Sequence, residues 1–142
     1  RAVDLVYCYE KWLVCDTQTG DYGYLDANTA RHFGEVVRWE FGTAIAYNEG
    51  RGALFTMLEL VCLTGRVEAG EDPYISTSYS VDGVTWSLER PIRAGMLGDR
   101  TRRLAWFQQG HLTNWRVQRF QGDSRALISV ARLEAGLEPL MS

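Results

Sequence analysis

Among residue types that do chemistry, the chain holds two histidines, three cysteines and eighteen carboxylates. His32 and His111 lie neither in an H-E-x-x-H run nor at metal-ligand spacing from a Cys or an acid, so both read as solvated or hydrogen-bonded surface side chains. Cys8, Cys15 and Cys62 make an odd count without a C-x-x-C pair, which argues against a disulfide framework or a zinc site. Each sits in an apolar, strand-like run where a free Cys acts as a small hydrophobe, and a reducing place of synthesis fits. The sequence has no G-x-S-x-G elbow, no P-loop and no G-x-G-x-x-G after a strand. "GRG" (50–52) is a turn, because nothing after it opens a helix on which a phosphate could sit. No motif calls for a cofactor or a metal. Glu59 interrupts the most apolar segment of the chain; an ion pair with a core-facing Arg, or an edge position, explains it better than acid/base work.

The arginines are the other chemical resource. Fourteen of fifteen basic residues are Arg, and only Lys11 is Lys. "DRTRRL" and "NWRVQRF" set Arg100, Arg102, Arg103, Arg116 and Arg119 beside Trp106, Trp115 and Phe120. Arg interleaved with aromatics can form a stacking platform for single-stranded nucleic acid or the core of a subunit interface. With a sequence pI near 5.4, the intersubunit reading is the stronger. Charge is also uneven along the chain. Residues 1–89 carry six Lys or Arg against fourteen Asp or Glu, a balance of −8; residues 90–142 carry nine against four, a balance of +5. Either the two halves neutralise each other within one chain, or an acidic face of one subunit meets a basic face of the next.

These residues need elements to carry them, and the elements read as short strands. Segments 2–8, 11–16, "YLD" (24–26), 35–47 with a bend at Gly42, 54–65, 101–108, 114–121 and 126–134 alternate with turn clusters. "LFTMLELVCLTG" is apolar on both strand faces, as expected of a central strand covered on both sides. "DANTARHFGEVV" (26–37) has room for one helical turn after an Asn28 or Thr29 cap. Residues 91–100 read as a loop, and 135–142 as a loose tail. The fold class is all-β: one domain over residues 1–142, an antiparallel meander forming either a portion of a β-propeller or a β-sandwich. No apolar run approaches the ~20 residues of a membrane helix, which speaks against a membrane partner.

"SYSVDGVTWS" (78–87) is the sharpest local signal. Asp82-Gly83 predicts a two-residue type I′ turn. That turn would set Tyr79 opposite Trp86 as an aromatic pin on one face, and Ser78 opposite Ser87 on the other. The stretch falls one residue short of the Asp-box hairpin of sialidase-type propellers, S-x-D-x-G-x-T-W. Even the full motif shapes a turn, so Asp82, Gly83, Tyr79 and Trp86 are structural here and no residue is assigned a catalytic role.

In order, Leu58 to Gly65, Ser78 to Trp86, Gly95 to Trp106 and Arg116-Val117 resemble the C-terminal part of the phage packaged-DNA stabilization proteins. These are the tail accessory factors that form the hub of short-tailed phages. The resemblance covers roughly residues 43–134, and the first 40 match loosely. After Trp106 such proteins continue with arginines and "LG", where this chain has Phe107, Gln108, Gln109 and Gly110. The chain begins at Arg1 and is shorter than such a protein, so it reads as a C-terminal fragment. The resemblance implies a propeller-like hub protein without enzymatic activity, located in the virion tail and made in the host bacterial cytoplasm. It implies a homo-oligomeric ring that closes the portal channel and contacts the portal adaptor, needle and tailspike, with at most an indirect contact to DNA. Two other readings stand beside it: a glycan-binding or glycan-cleaving module, from the near Asp-box and the five Trp, and a single-stranded nucleic-acid binder, from the Arg-aromatic strands.

Overall fold

The computed structural model describes residues 2–140, and among them it has twelve strands and no helix. In chain order they are β1 (Ala2–Cys8), β2 (Lys11–Asp16), β3 (Tyr22–Tyr24), β4 (Arg38–Gly42), β5 (Ala46–Tyr47), β6 (Ala53–Leu63), β7 (Tyr74–Ser80), β8 (Arg90–Arg93), β9 (Leu104–Phe107), β10 (His111–Leu112), β11 (Trp115–Asp123) and β12 (Ser129–Pro139). All pairings are antiparallel, and they divide into three sheets. β1, β2 and β3 form a small meander. β6 lies between β12 on one side and β9 and β10 on the other; β11 lies between β7, which continues to β8, and the pair β4 and β5.

The two larger sheets pack face to face as a β-sandwich. Leu60 and Cys62 of β6, with Leu104 and Trp106 of β9, meet Ile75 of β7, Ile92 of β8 and Phe120 of β11. Phe55 and Leu58 of β6 form a second cluster with Ala53 and Leu112. The inward residues of β6 change parity, from Ala53 and Phe55 to Leu58 and Leu60. The cause is a bulge: Gly136 pairs Met57 and Leu137 pairs Phe55, which leaves Thr56 as the extra residue. A side chain at Gly136 would stand 2.7 Å from the Thr56 hydroxyl, so a glycine is needed opposite the bulge. This parity change makes the segment look apolar on both faces. No second layer covers its outer face, where Leu54 and Leu63 are exposed, contrary to the expectation of a strand buried on both sides.

Other sequence readings shift too. The third strand is Tyr22–Tyr24 rather than 24–26, and no helical turn forms over 26–37. There, His32 and Glu35 exchange both backbone hydrogen bonds around Phe33 and Gly34. Part of the expected 91–100 loop is strand β8. Ala135–Pro139 belong to β12, paired with β6, rather than to a loose tail; Met141 and Ser142 lie outside the described residues.

The opening hairpin departs most. Asp82 has an ordinary negative φ, so only Gly83 supplies the positive value and a type I′ turn cannot form. β7 pairs with β8 instead, Thr77 opposite Arg90, and residues 81–89 bridge them as a long loop. Type I′ backbone appears where no Asn or Gly announces it, at Tyr9 and Glu10 between β1 and β2, with φ of 51° and 60°.

Trp39 lies directly over Gly122, its partner across β4 and β11, and donates its indole N–H to the Asp123 carbonyl at 3.2 Å. A methyl at residue 122 would overlap that indole. Gly122→Ala is therefore expected to cost about 1–3 kcal/mol of overpacking, read as a lowered urea midpoint at unchanged m-value.

Candidate functional site

The five arginines singled out by sequence do not form one site. The register of β11 sends Arg116, Gln118 and Phe120 to the inner face, and Val117, Arg119 and Gln121 to the outer. Arg116 is 1% exposed. Its Nη1 donates to the Gln109 carbonyl at 2.6 Å, and its Nε and Nη2 donate to Gln118 Oε1 at 3.1 and 2.9 Å. Gln118 in turn donates to the Thr77 hydroxyl at 2.6 Å. The guanidinium carbon stands 3.8 Å from the Tyr79 ring centroid and 4.6 Å from that of Phe55. Burial pushes its pKa down to about 10, which leaves it charged at neutral pH. Arg116 is a core residue, so it offers no surface to a partner subunit or a nucleic acid.

Arg119 works on the opposite face. Its Nε donates to Ser78 Oγ at 3.2 Å, its guanidinium lies 4.1 Å over the Trp86 ring, and Nη1 is 3.8 Å from Glu40. Tyr79 and Trp86, expected to face each other, therefore lie on opposite sides of the sheet, each against a different arginine. Arg103 makes two hydrogen bonds to the Glu59 carboxylate, which is the ion pair anticipated for Glu59, with an exposed rather than core-facing arginine. Arg100 and Arg102 are exposed, with no ion pair among the described residues. Trp106 and Phe120 are buried and Trp115 is half-buried, so two of the three aromatics expected to form a nucleic-acid stacking platform are closed to a base.

Asp82 is consumed by its own loop. Its carboxylate accepts from the Thr85 hydroxyl, from the backbone N–H of Val84 at 2.8 Å and of Thr85 at 2.7 Å, and from Ser80 Oγ at 2.9 Å. These donors hold the carboxyl far below the usual carboxylate range, the Thr85 hydroxyl most of all. Such an anion neither donates a proton nor takes one near neutrality. The Arg103 hydrogen bonds hold Glu59 low in the same way, against the opposing effect of its burial.

Among the described residues, four ion pairs join the acidic first 89 residues to the basic remainder: Asp72–Arg93, Glu59–Arg103, Glu40–Arg119 and Glu71–Arg125. The charge asymmetry along the sequence is thus in good part neutralised within one chain. The partners of Arg116 went unnoticed in the sequence. The alternation W-R-V-Q-R-F holds the signal, since it puts Arg116 on the face of Gln118 and Phe120. His32 is not the surface side chain expected; its Nε2 is shut off from solvent without a hydrogen-bond partner, and its ring tilts against Phe33. Cys8, Cys15 and Cys62 are free thiols. Among the described residues, no group of His, Cys, Asp and Glu is placed to hold a metal, and no helix is long and apolar enough to cross a membrane.

The family model described as bacteriophage P22 Gp10, beta-sandwich, matches residues 38–138, from the first residue of β4 nearly to the end of β12. No curated protein matches the chain.

Removing the buried guanidinium strands the Gln109 carbonyl and opens a cavity, so Arg116→Ala is expected to cost about 3 kcal/mol in chemical denaturation. Arg116→Lys, which keeps the charge without the fork, should cost less than Arg116→Ala. Acid sensitivity follows from Glu59 and Asp123, both lowered chiefly by hydrogen bonds from Arg103 and Arg125. Their folded pKa values lie below the unfolded ones, so their stabilisation is complete above the ordinary carboxylate range near about 4. It is lost as pH falls through the depressed values. Glu59→Gln should flatten the acid limb of a plot of thermal midpoint against pH.

Proposed function

The chain belongs to the bacteriophage P22 Gp10 β-sandwich family, which is phage tail-associated, and we propose on that footing that it serves in the tail hub of a short-tailed phage. There it closes the portal channel after packaging and stabilises the packaged DNA as a non-enzymatic, ring-forming subunit of the virion. The observation that carries the reading is the family match across residues 38–138, which takes in both sheets of the sandwich rather than one hairpin. Portal adaptor, needle and tailspike are the neighbours this role requires.

Ring closure by one repeated subunit needs a heterologous contact, in which two different faces complement each other. The four ion pairs between the acidic and basic halves are spent inside the chain, so exposed apolar side chains are the better source of that contact. Tyr9 and Tyr22 on the small sheet, and Val84 and Leu88 on the Asp82 loop, are each more than four-fifths exposed. A rigid loop presenting Val84 and Leu88 loses little entropy on docking, and the Asp82 hydrogen bonds provide that rigidity. The Asp-box likeness of the same loop does not favour a glycan, since its Asp carboxylate is already taken up by Ser80, Val84 and Thr85.

The test is a nonsense variant of this gene in the phage that encodes it, complemented by the wild-type chain from a plasmid. Without complementation, heads should package DNA and then release it, measured as loss of DNase-resistant genome from purified particles. Stable, DNA-filled particles in the absence of the chain would sink the channel-closing role.

A further inference from the structure

A half-open cleft of about 300 Å³ is lined by four arginines, Arg31, Arg66, Arg100 and Arg125, with Gly65, Glu68 and Ser124 among its other walls. Two of the four are already matched. Arg31 holds Glu68 through two hydrogen bonds of 2.9 and 2.8 Å, and Arg125 holds Asp123 through Nε at 3.0 Å and Nη2 at 2.6 Å. Glu71 stands 3.8 Å from each of them. The guanidinium groups of Arg66 and Arg100 have no hydrogen bond and no ion pair among the described residues. Asp99, the acid next to Arg100, does not line the cleft; its carboxylate lies against Gly95 instead.

The backbone at these two arginines is fixed. Thr64 Oγ1 donates to the Asp99 carbonyl at 2.9 Å, and Gly98 N–H donates to the Gly65 carbonyl at 3.0 Å. Gly65 has φ of 75°, and a Cβ there would stand 2.8 Å from the Asp99 carbonyl carbon, so the two loops touch backbone to backbone. The Arg66 carbonyl accepts from Leu127 N–H at 2.9 Å, and Arg100 N–H donates to the Gly98 carbonyl at 2.9 Å. Ser124 Oγ accepts from Val37 N–H at 2.9 Å, which leaves its hydroxyl proton to be donated elsewhere.

We propose that this cleft binds a phosphate group through Arg66 and Arg100. A guanidinium presents a planar fork that fits the oxygens of phosphate or carboxylate two at a time. One carboxylate has two oxygens and fills one fork. Two forks and a serine hydroxyl call for the three or four oxygens of a phosphate. The carboxylate that lines the cleft, Glu68, points the same way, since it pairs with Arg31 and leaves these two open. The inference stands apart from the tail role and holds or fails independently of it.

Calorimetric titration of the chain at low salt with inorganic phosphate, and with a short single-stranded oligonucleotide, tests it. Arg66→Gln and Arg100→Gln should each weaken binding about ten-fold or more, the scale of a charge-assisted bidentate contact. Arg102→Gln, exposed but outside the cleft, should change it less than about two-fold. Neither cleft arginine has a partner to lose, so both variants should melt like the wild type. Arg66→Lys and Arg100→Lys, which keep the charge without the fork, should fall between wild type and Gln. Phosphate bound without the oligonucleotide assigns the cleft to free phosphate. An oligonucleotide displaced by phosphate and weakened by the same two variants assigns it to a phosphodiester. Equal losses for Arg102→Gln, no binding of either ligand, or binding of a glutamate-rich peptide in place of phosphate would each overturn the proposal.

Discussion

The sandwich turns on a charge held between its two layers. Arg116 belongs to β11 in one sheet, while two of its partners, the Phe55 ring and the Gln109 carbonyl, come with the other. A buried cation without a carboxylate is costly unless its donors are met. Here three donors meet two oxygens, and the charge lies over two rings, an arrangement that offsets part of the desolvation. The geometric demand is strict. Gln118 must share the inner face so that Oε1 reaches back two residues, and the turn after β9 must bring the Gln109 carbonyl to it. Gln108, with φ of 54°, shapes that turn, and its own carbonyl accepts from Arg90 at 2.8 Å. The "FQQG" stretch, which departs from the arginine-rich continuation of the resembling proteins, thus supplies the acceptor that the buried arginine requires.

This lock also explains why the Arg-aromatic strands misled. Arg interleaved with Trp and Phe was readable in the sequence; which face each side chain takes was not, because face depends on register. β11 places Arg116 and Arg119 three residues apart and hence on opposite faces. One becomes a core cation and the other covers Trp86 from outside. All-β architecture was readable because the period-2 segments and their turn residues are local signals. The Thr56 bulge was not, since it arises from the pairing of β6 with β12, more than seventy residues away.

The Asp82 loop shows a different limit. Asp-Gly predicts a tight hairpin when backbone preference decides. Here side-chain hydrogen bonds decide, because Ser80 Oγ accepts from the Gly83 amide and the Asp82 carboxylate accepts from those of Val84 and Thr85. An Asp carboxylate competing with the backbone for those amides favours an Asx-type loop over a two-residue turn. The serines of "SYSVDGVTWS" were legible as a polar face, but their work as loop donors and acceptors was not. The converse error, the unannounced type I′ turn at Tyr9 and Glu10, has a similar origin: tertiary pairing of β1 with β2 imposes a left-handed backbone on residues that do not prefer it.

The small sheet bears on the biological role. Val6, Tyr22 and Tyr24 on one face, with Leu5, Tyr7 and Trp12 on the other, are all exposed, and Phe33 packs against Gly23 on the Trp12 side only. A three-stranded sheet gains stability by covering an apolar face, and single monomers rarely expose contiguous apolar patches of this kind. The sandwich is the reverse case in its core, where Trp106 and Phe120 are sealed from solvent. The two parts differ in kind: the sandwich closes over its own core, while the small sheet, together with the Asp82 loop, leaves Tyr9, Tyr22, Val84 and Leu88 almost fully in solvent.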